Sequence, residues 1–430
     1  MLIDFTATNY ASLKDETTLS AETGARLRKY KETNTFQNEK VPVLKNLLLF
    51  GPNGAGKSQL INALGHMQRI VVHPTGSVTE KLPYDAFLLD GSSRKKPTSF
   101  EVTVEIEATI YKYSFSYDKE KIISEKLTII NQDGKEIDTI FSRLNGKVKT
   151  NDENLVKALP TLRENSLLLY LAQAENNKDA VAVFTWFSEN LLFLSTTTNN
   201  ATSLLIPKEM LDLMKDKHLK KEMITFLKFA DFNIKDIKIR EVPANFINAH
   251  GETATKTVTS LYTVRNCYEG SKNIGEQELN LIQESRGTQR LFYIVLAMIF
   301  AQVNGNRKTL VIDEFDDSLH YELAKTLITL FNSEENLNQF IITTHDVQLL
   351  DNKLRIDQIY LLDKDFRGVT SLSSVFDFSD TRNTGRADLS FARKYILGRF
   401  GAYPIIDAEK LKEILKATHD NYDGGTNGEK

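Results

Sequence analysis

The stretch LLLFGPNGAGKSQLINAL, residues 47–64, decides the fold. Leu47–Phe50 is an apolar run of strand length. Gly51, Pro52, Asn53, Gly54, Ala55, Gly56, Lys57 and Ser58 then spell G-x-x-x-x-G-K-[S/T], and a helix-like stretch follows. The order strand, glycine turn, helix gives the pattern its meaning. Glycines allow successive backbone N–H groups to curl around phosphate oxygens. A helix opening near Lys57 turns its positive end toward the same anion. In that setting Lys57 reaches the β- and γ-phosphates and Ser58 holds Mg²⁺, so the loop predicts binding of ATP with magnesium.

Three further stretches extend that reading. KTLVIDEFDD (308–317) contains a buried strand, Thr309–Ile312, with Asp313 and Glu314 at its end, where ligands gather in open α/β sheets. Asp313 is expected to bind Mg²⁺ with Ser58, and Glu314 to polarise the attacking water. QFIITTHD (339–346) is another buried strand, and His345 at its end is placed to contact the γ-phosphate. In QESRGTQRLFYIVLAMIF (283–300), the polar turn Ser285, Arg286, Gly287, Thr288, Gln289 opens a long apolar helix. A helix start preceded by serine and glycine is an anion site without a lysine of its own.

The rest of the chain places these motifs. Residues 2–9 read as a strand, RLRKYKET (26–33) as a mobile polar connection, and 58–72 as a helix. SFEVTVEIE (99–107) and IYKYSFSYD (110–118) alternate with period two, and Asp133-Gly134 and Asn145-Gly146 mark tight turns, so an antiparallel layer spans about 98–150. Residues 152–235 carry helical stripes, AVAVFTWFSENLLFL among them, and short strands return over 236–285. The expected organisation is α/β: 1–150 as the first half of a nucleotide-binding head with its β layer, 151–275 as a mostly helical insertion or lid, 276–407 as the second half, and 408–430 as a flexible tail.

Composition is that of a globular protein, and the net charge of −3 gives no global field for nucleic acid. The one cysteine, Cys267, fits a reducing cytoplasm. The N-terminus does not read as a signal peptide, and the longest apolar run, 291–301, is too short to span a bilayer, so no membrane role is expected.

GPNGAGKS, ESRGTQR, LVIDEFDDSLH and ITTHD stand in an order and spacing that resembles ABC-type P-loop ATPases of the RecF, SMC and OLD kind. MLIDFTATNYASLKDETTLS (1–20), LRIDQIYLLDKDFRGVTSLSSV (354–375) and RKYILGRFGAYPII (393–406) look closer still to the stand-alone AAA family ATPases of bacterial abortive-infection and anti-phage operons. The resemblance implies an ABC-type ATPase head, a mixed sheet with flanking helices plus an antiparallel β layer. It makes 51–58 the phosphate loop, Ser285, Gly287, Thr288 and Gln289 the signature, Asp313 the metal aspartate, Glu314 the catalytic glutamate, His345 the switch histidine and 316–320 a dimer-contacting loop. It further implies a homodimer closed around ATP and an effector, nuclease or toxin, encoded nearby. Two departures stand out: the signature lacks the double glycine of transporters, and LPYDAFLLD (82–90) has no glutamine where the coupling loop should be. Asp363 and Asp365 in YLLDKD imitate nuclease metal ligands but read as an edge-strand turn. The alternative is a RecF- or SMC-like DNA-binding ATPase, for which the lysines of 208–230 are the best support; nucleic acid stays open as a partner. A transporter subunit fits less well, because about 150 residues separate the halves.

Overall fold

The protein is described by a computed structural model over residues 1–24, 27–37, 39–194, 208–230, 233–247, 253–303, 307–378, 390–400 and 408–423. In chain order, β1 (Leu2–Thr8) and β2 (Thr17–Ser20) precede a single helical turn, α1 (Lys31–Asn34). The short pair β3 (Thr35–Phe36) and β4 (Val43–Leu44) leads to β5 (Asn46–Phe50) and α2 (Lys57–Val72). Then come β6 (Thr98–Ile106), β7 (Thr109–Tyr117), β8 (Ile122–Ile130), β9 (Glu136–Leu144) and β10 (Lys147–Thr150). Helices α3 (Glu153–Ala158), α4 (Leu168–Ala174) and α5 (Lys178–Thr185) precede β11 (Leu191–Leu194). Next are α6 (Lys208–Asp212), α7 (Lys217–Ala230), β12 (Ile234–Ile247), β13 (Thr253–Glu269), β14 (Lys272–Asn280) and α8 (Arg286–Val303). The chain closes with β15 (Thr309–Ile312), α9 (Tyr321–Phe331), β16 (Gln339–Thr344), β17 (Ile359–Lys364), β18 (Thr370–Ser374), α10 (Phe391–Ile396) and α11 (Ala408–Asp423).

The central sheet has the order β11-β15-β16-β5-β17-β18, parallel except for the last pair. Its four inner strands, β15, β16, β5 and β17, are largely apolar because both faces are covered. Along β5, Leu47 and Leu49 enter one core while Leu48 and Phe50 enter the other. Val311 and Ile341 join the first; Leu310, Ile312, Phe340 and Ile342 join the second. The first core is shared with α2 and an antiparallel sheet of order β10-β9-β8-β7-β6-β1-β2. The second is filled by α8 and α9, with Phe331 stacked on Phe340. Gln339 fastens the two sheets: its amide accepts from Leu2 N and donates to the carbonyls of Leu2 and Leu44.

The antiparallel layer matches its alternating pattern, with Asn145 (φ 48°) and Gly146 (φ 80°) both left-handed in the β9–β10 turn. Three expectations are corrected. Residues 151–275 are not a mostly helical insertion. β11 pairs in parallel with β15, and α4 and α5 bury Leu168, Leu169, Ala180 and Val183 in the first core, so the segment's start belongs to the head. Its end is a three-stranded antiparallel sheet, β12-β13-β14, of long strands rather than short ones. The run LLFL has no period of its own, and the helical stripe preceding it hides the strand. Residues 408–423 of the supposed flexible tail are helical, with Leu411, Ile414 and Leu415 at helical spacing; 424–430 lie outside the described residues. The connection at 26–33 contains α1, and the Arg355 guanidinium donates to the carbonyls of Leu27 and Lys29, so its described part is fastened rather than free.

Candidate functional site

Strand register assembles the site. Phe50 pairs with Thr344 and Ile312 with Ile342, so Gly51, His345 and Asp313 leave the sheet at its shared C-terminal edge. The loop between β5 and α2 has left-handed Gly54 (φ 81°) and Gly56 (φ 106°), the conformations that aim backbone N–H groups into a common hollow. Lys57 Nζ donates to Gly51 O at 2.7 Å and Pro52 O at 3.2 Å. Burial lowers the lysine's pKa, and the carboxylates of Asp313, Asp316 and Glu314 act in the opposite direction.

Asp313 and Glu314 are held by a strand-end threonine. The Thr343 hydroxyl donates to Asp313 Oδ1 and accepts from Glu314 N at 2.7 Å. The buried Phe315 then donates its N–H to Thr343 O at 2.8 Å, which anchors the turn. Glu314 is exposed with left-handed backbone, φ 49°. His345 is exposed too, and its Nδ1 lies 3.3 Å from Asp316 Oδ2. Both hydrogen bonds to the Asp313 carboxylate fall on Oδ1, so Oδ2 remains available; Asp313 and Ser58, in the first turn of α2, could offer a cation oxygen atoms only, the kind Mg²⁺ prefers.

The turn at 285–289 packs against residues 313–318. Ser285 and Arg286 are exposed, and Ser285 Oγ caps α8 by accepting from Thr288 N at 3.1 Å. Thr288 is buried with its hydroxyl on Ser285 Oγ, while Gln289 turns its amide back to the carbonyls of Ile282 and Glu284. These two residues therefore serve the local cap in this conformation. Gly287 packs so closely that an added Cβ would lie 2.5 Å from Ser318 O. Arg290, almost fully buried, donates to the carbonyls of Asp313 (2.7 Å), Glu314 and Phe315 (3.1 Å). On the other side, Glu284 is gripped by Arg265 of β13 through two charge-assisted bonds, at 2.9 and 2.6 Å, and by the Thr263 hydroxyl.

Sequence reading missed Thr343, Arg290 and Thr370, and gave Asp316 only as part of the loop 316–320. Thr343 follows one apolar run and Arg290 precedes another, and both are buried, which the sequence pattern alone does not signal. Thr370 Oγ1 donates to Ala55 O at 3.0 Å and bonds Ser12 Oγ, walling the phosphate loop from behind. A Cβ at Gly56 would fall 2.2 Å from that oxygen. Gly56→Ala is therefore expected to cost about 1–3 kcal/mol of stability from the left-handed backbone alone. A lower melting temperature together with weakened nucleotide binding checks this. Asp365 accepts from the N–H groups of Arg367 and Val369 within the β17–β18 hairpin, and no group of three metal-ligating side chains occurs among the described residues. Residues 82–90 run without regular structure; Asp85 O and Phe87 N bond Ala11 and Asn9.

A family described as "AAA domain, putative AbiEii toxin, Type IV TA system" matches residues 47–351, from the phosphate loop past His345. The chain belongs to this family. No curated protein matches it. Among solved structures, this AAA domain is similar to an SMC head domain from Thermotoga maritima at 12% identity, with TM-score 0.38, covering 87% of this chain and 98% of that one. A SmcHead bound to the C-winged helix domain of ScpA gives 12% identity, TM-score 0.46, and coverage of 89% and 99%. A Smc head with an extended coiled coil, bound to the C-terminal domain of ScpA from Pyrococcus furiosus, gives 11%, 0.43, and coverage of 87% and 96%. No helix among the described residues is long and apolar enough to cross a membrane.

Proposed function

We propose that this AAA domain hydrolyses ATP in a pocket completed by a second copy, and that closing and reopening of the pair switches an effector. One observation carries the reading. The loop 51–58, Asp313, Glu314 and His345 meet at one sheet edge, whereas Ser285 and Arg286 are exposed on a separate turn that packs on residues 313–318 through Gly287 and Arg290. Each chain thus offers a triphosphate cradle and, at another place, a capped helix start suited to an anion.

The roles follow from the geometry. Lys57 exchanges its bonds to its own loop carbonyls for phosphate oxygens, and the first turn of α2 adds its N–H groups. Mg²⁺ held by Ser58 and Asp313 would neutralise charge at the β- and γ-phosphates. Glu314, exposed at the start of the turn, accepts a proton from the attacking water. His345, beside Gly51 in register, contacts the γ-phosphate. The partner's Ser285 turn binds the same phosphate from outside, so closure depends on a group that hydrolysis removes, and a ligand shifts an equilibrium only by such differential contact. The family's description as a putative toxin of a Type IV toxin–antitoxin system fits a chain that works beside a partner effector. For the DNA-clamp alternative, Lys215 and Lys220 of the 208–230 segment pair with Asp212 and Asp236, and a salt-dependent DNA affinity would favour that reading.

Mixing two inactive variants tests the shared pocket. Lys57→Ala destroys one half-site and Ser285→Arg the other. An equal mixture should recover about a quarter of wild-type turnover, since half the dimers carry one intact pocket of two. Recovery no greater than the sum of the separate variants would refute the two-chain pocket.

A further inference from the structure

The pair His345–Asp316 has a chemical asymmetry. His345 directs Nδ1 toward Asp316 Oδ2 at 3.3 Å, while its side chain is 60% exposed and that of Asp316 only 6%. Asp316 Oδ1 is buried and has no hydrogen-bond partner among the described residues. A carboxylate taken out of water with an acceptor unfilled costs free energy, and an apolar residue would fill the same space without that cost. The packing gives no reason for a charge there; the neighbouring site does, since Lys57 and Arg290 both lie within its field.

We propose that Asp316 is the positioning residue of His345, holding the imidazole by Nδ1 so that Nε2 is the nitrogen offered to the γ-phosphate of bound ATP. This rests on the ATP-hydrolysis reading above and adds a residue to it. A neutral imidazole carries one N–H; with that proton on Nδ1 facing Asp316, Nε2 points away from the carboxylate. An exposed ring without an anchor would sample other rotamers and lose that freedom on meeting its ligand. The anchor itself is rigid. Asp316 lies between Phe315, whose N–H is bonded to Thr343 O, and Leu319, whose N–H is bonded to Asp316 O at 3.1 Å. Arg290 holds the three preceding carbonyls of the same turn. A side chain on a fixed turn can orient a mobile ring to the tolerance that chemistry needs.

The test uses the full chain and Asp316→Asn, which keeps the shape and removes the charge. Turnover should fall about 10- to 100-fold, the scale known for residues that orient a metal-ligating histidine, while the dissociation constant for a fluorescent ATP analogue does not rise and the melting temperature does not fall. The same substitution in a His345→Gln background should add nothing, because its effect passes through the ring. Nitrogen-15 NMR of histidine-labelled protein, with the His345 signals assigned by their loss in His345→Gln, should show the Nδ1-protonated tautomer in wild type and the Nε2-protonated form in Asp316→Asn. An Nε2-protonated ring in wild type, unchanged turnover in Asp316→Asn, or a full additional loss in the double variant would each overturn the proposal. A wild-type chain with no ATP turnover would instead sink the parent reading, and the tautomer would still judge the pair.

Discussion

Glu314→Gln is expected to lower ATP turnover by about two to four orders of magnitude, the usual share of a general base, while leaving nucleotide bound. The amide keeps the size of the carboxylate but cannot take the proton of the attacking water. Nothing else in the turn should move, because Glu314 is fixed through its backbone, by Thr343 Oγ1 on its N–H and Arg290 on its carbonyl, rather than through its exposed side chain. Binding without hydrolysis leaves the γ-phosphate in place, so the closed pair should accumulate. Light scattering with ATP and magnesium should then report twice the 48.8 kDa chain mass. An unchanged mass, with turnover lost, would separate catalysis by Glu314 from dimer closure and count against the switch.

Lys57→Ala is expected to weaken ATP binding by about 100-fold, the scale of losing charge-assisted hydrogen bonds. The lysine sits among the carboxylates of Asp313, Asp316 and Glu314, all of which favour its charged form against burial. Without it, a triphosphate would approach those three anions with less compensation. The empty protein should melt within a few degrees of wild type, since the lost bonds run to carbonyls of an exposed-edge loop and not into either core. Calorimetric titration reads the affinity; a dissociation constant near wild type would show that residues 51–58 do not bind the triphosphate through Lys57.

The local part of this site was legible in the sequence. A strand, a glycine turn and a helix are contiguous, so 51–58 could be read without knowing any contact, and the family match spans the same motifs. Antiparallel strands 98–150 were legible for the same reason: alternation and the Asn145-Gly146 turn are neighbours in the chain. What was lost lies in register. Thr343 meets Asp313 across 30 positions, and only the β15–β16 pairing brings them together. Arg265 finds Glu284 only because β13 folds back beside β14. β11 was hidden because four apolar residues fit a helix stripe as well as a strand, and only its place beside β15 decides between them. The helix at 408–423 was overlooked because the glycine-rich end drew attention from the apolar spacing of Leu411, Ile414 and Leu415.

The fork of Arg290 binds the start of α8 to three consecutive carbonyls, those of Asp313, Glu314 and Phe315. That leaves no slack between the Ser285 turn and the Asp313–Glu314 turn. In a paired arrangement each copy would register the neighbour's fuel at the very turn that burns its own, and by thermodynamic reciprocity the reverse would hold. Two such sites would bind their nucleotides with coupled affinities.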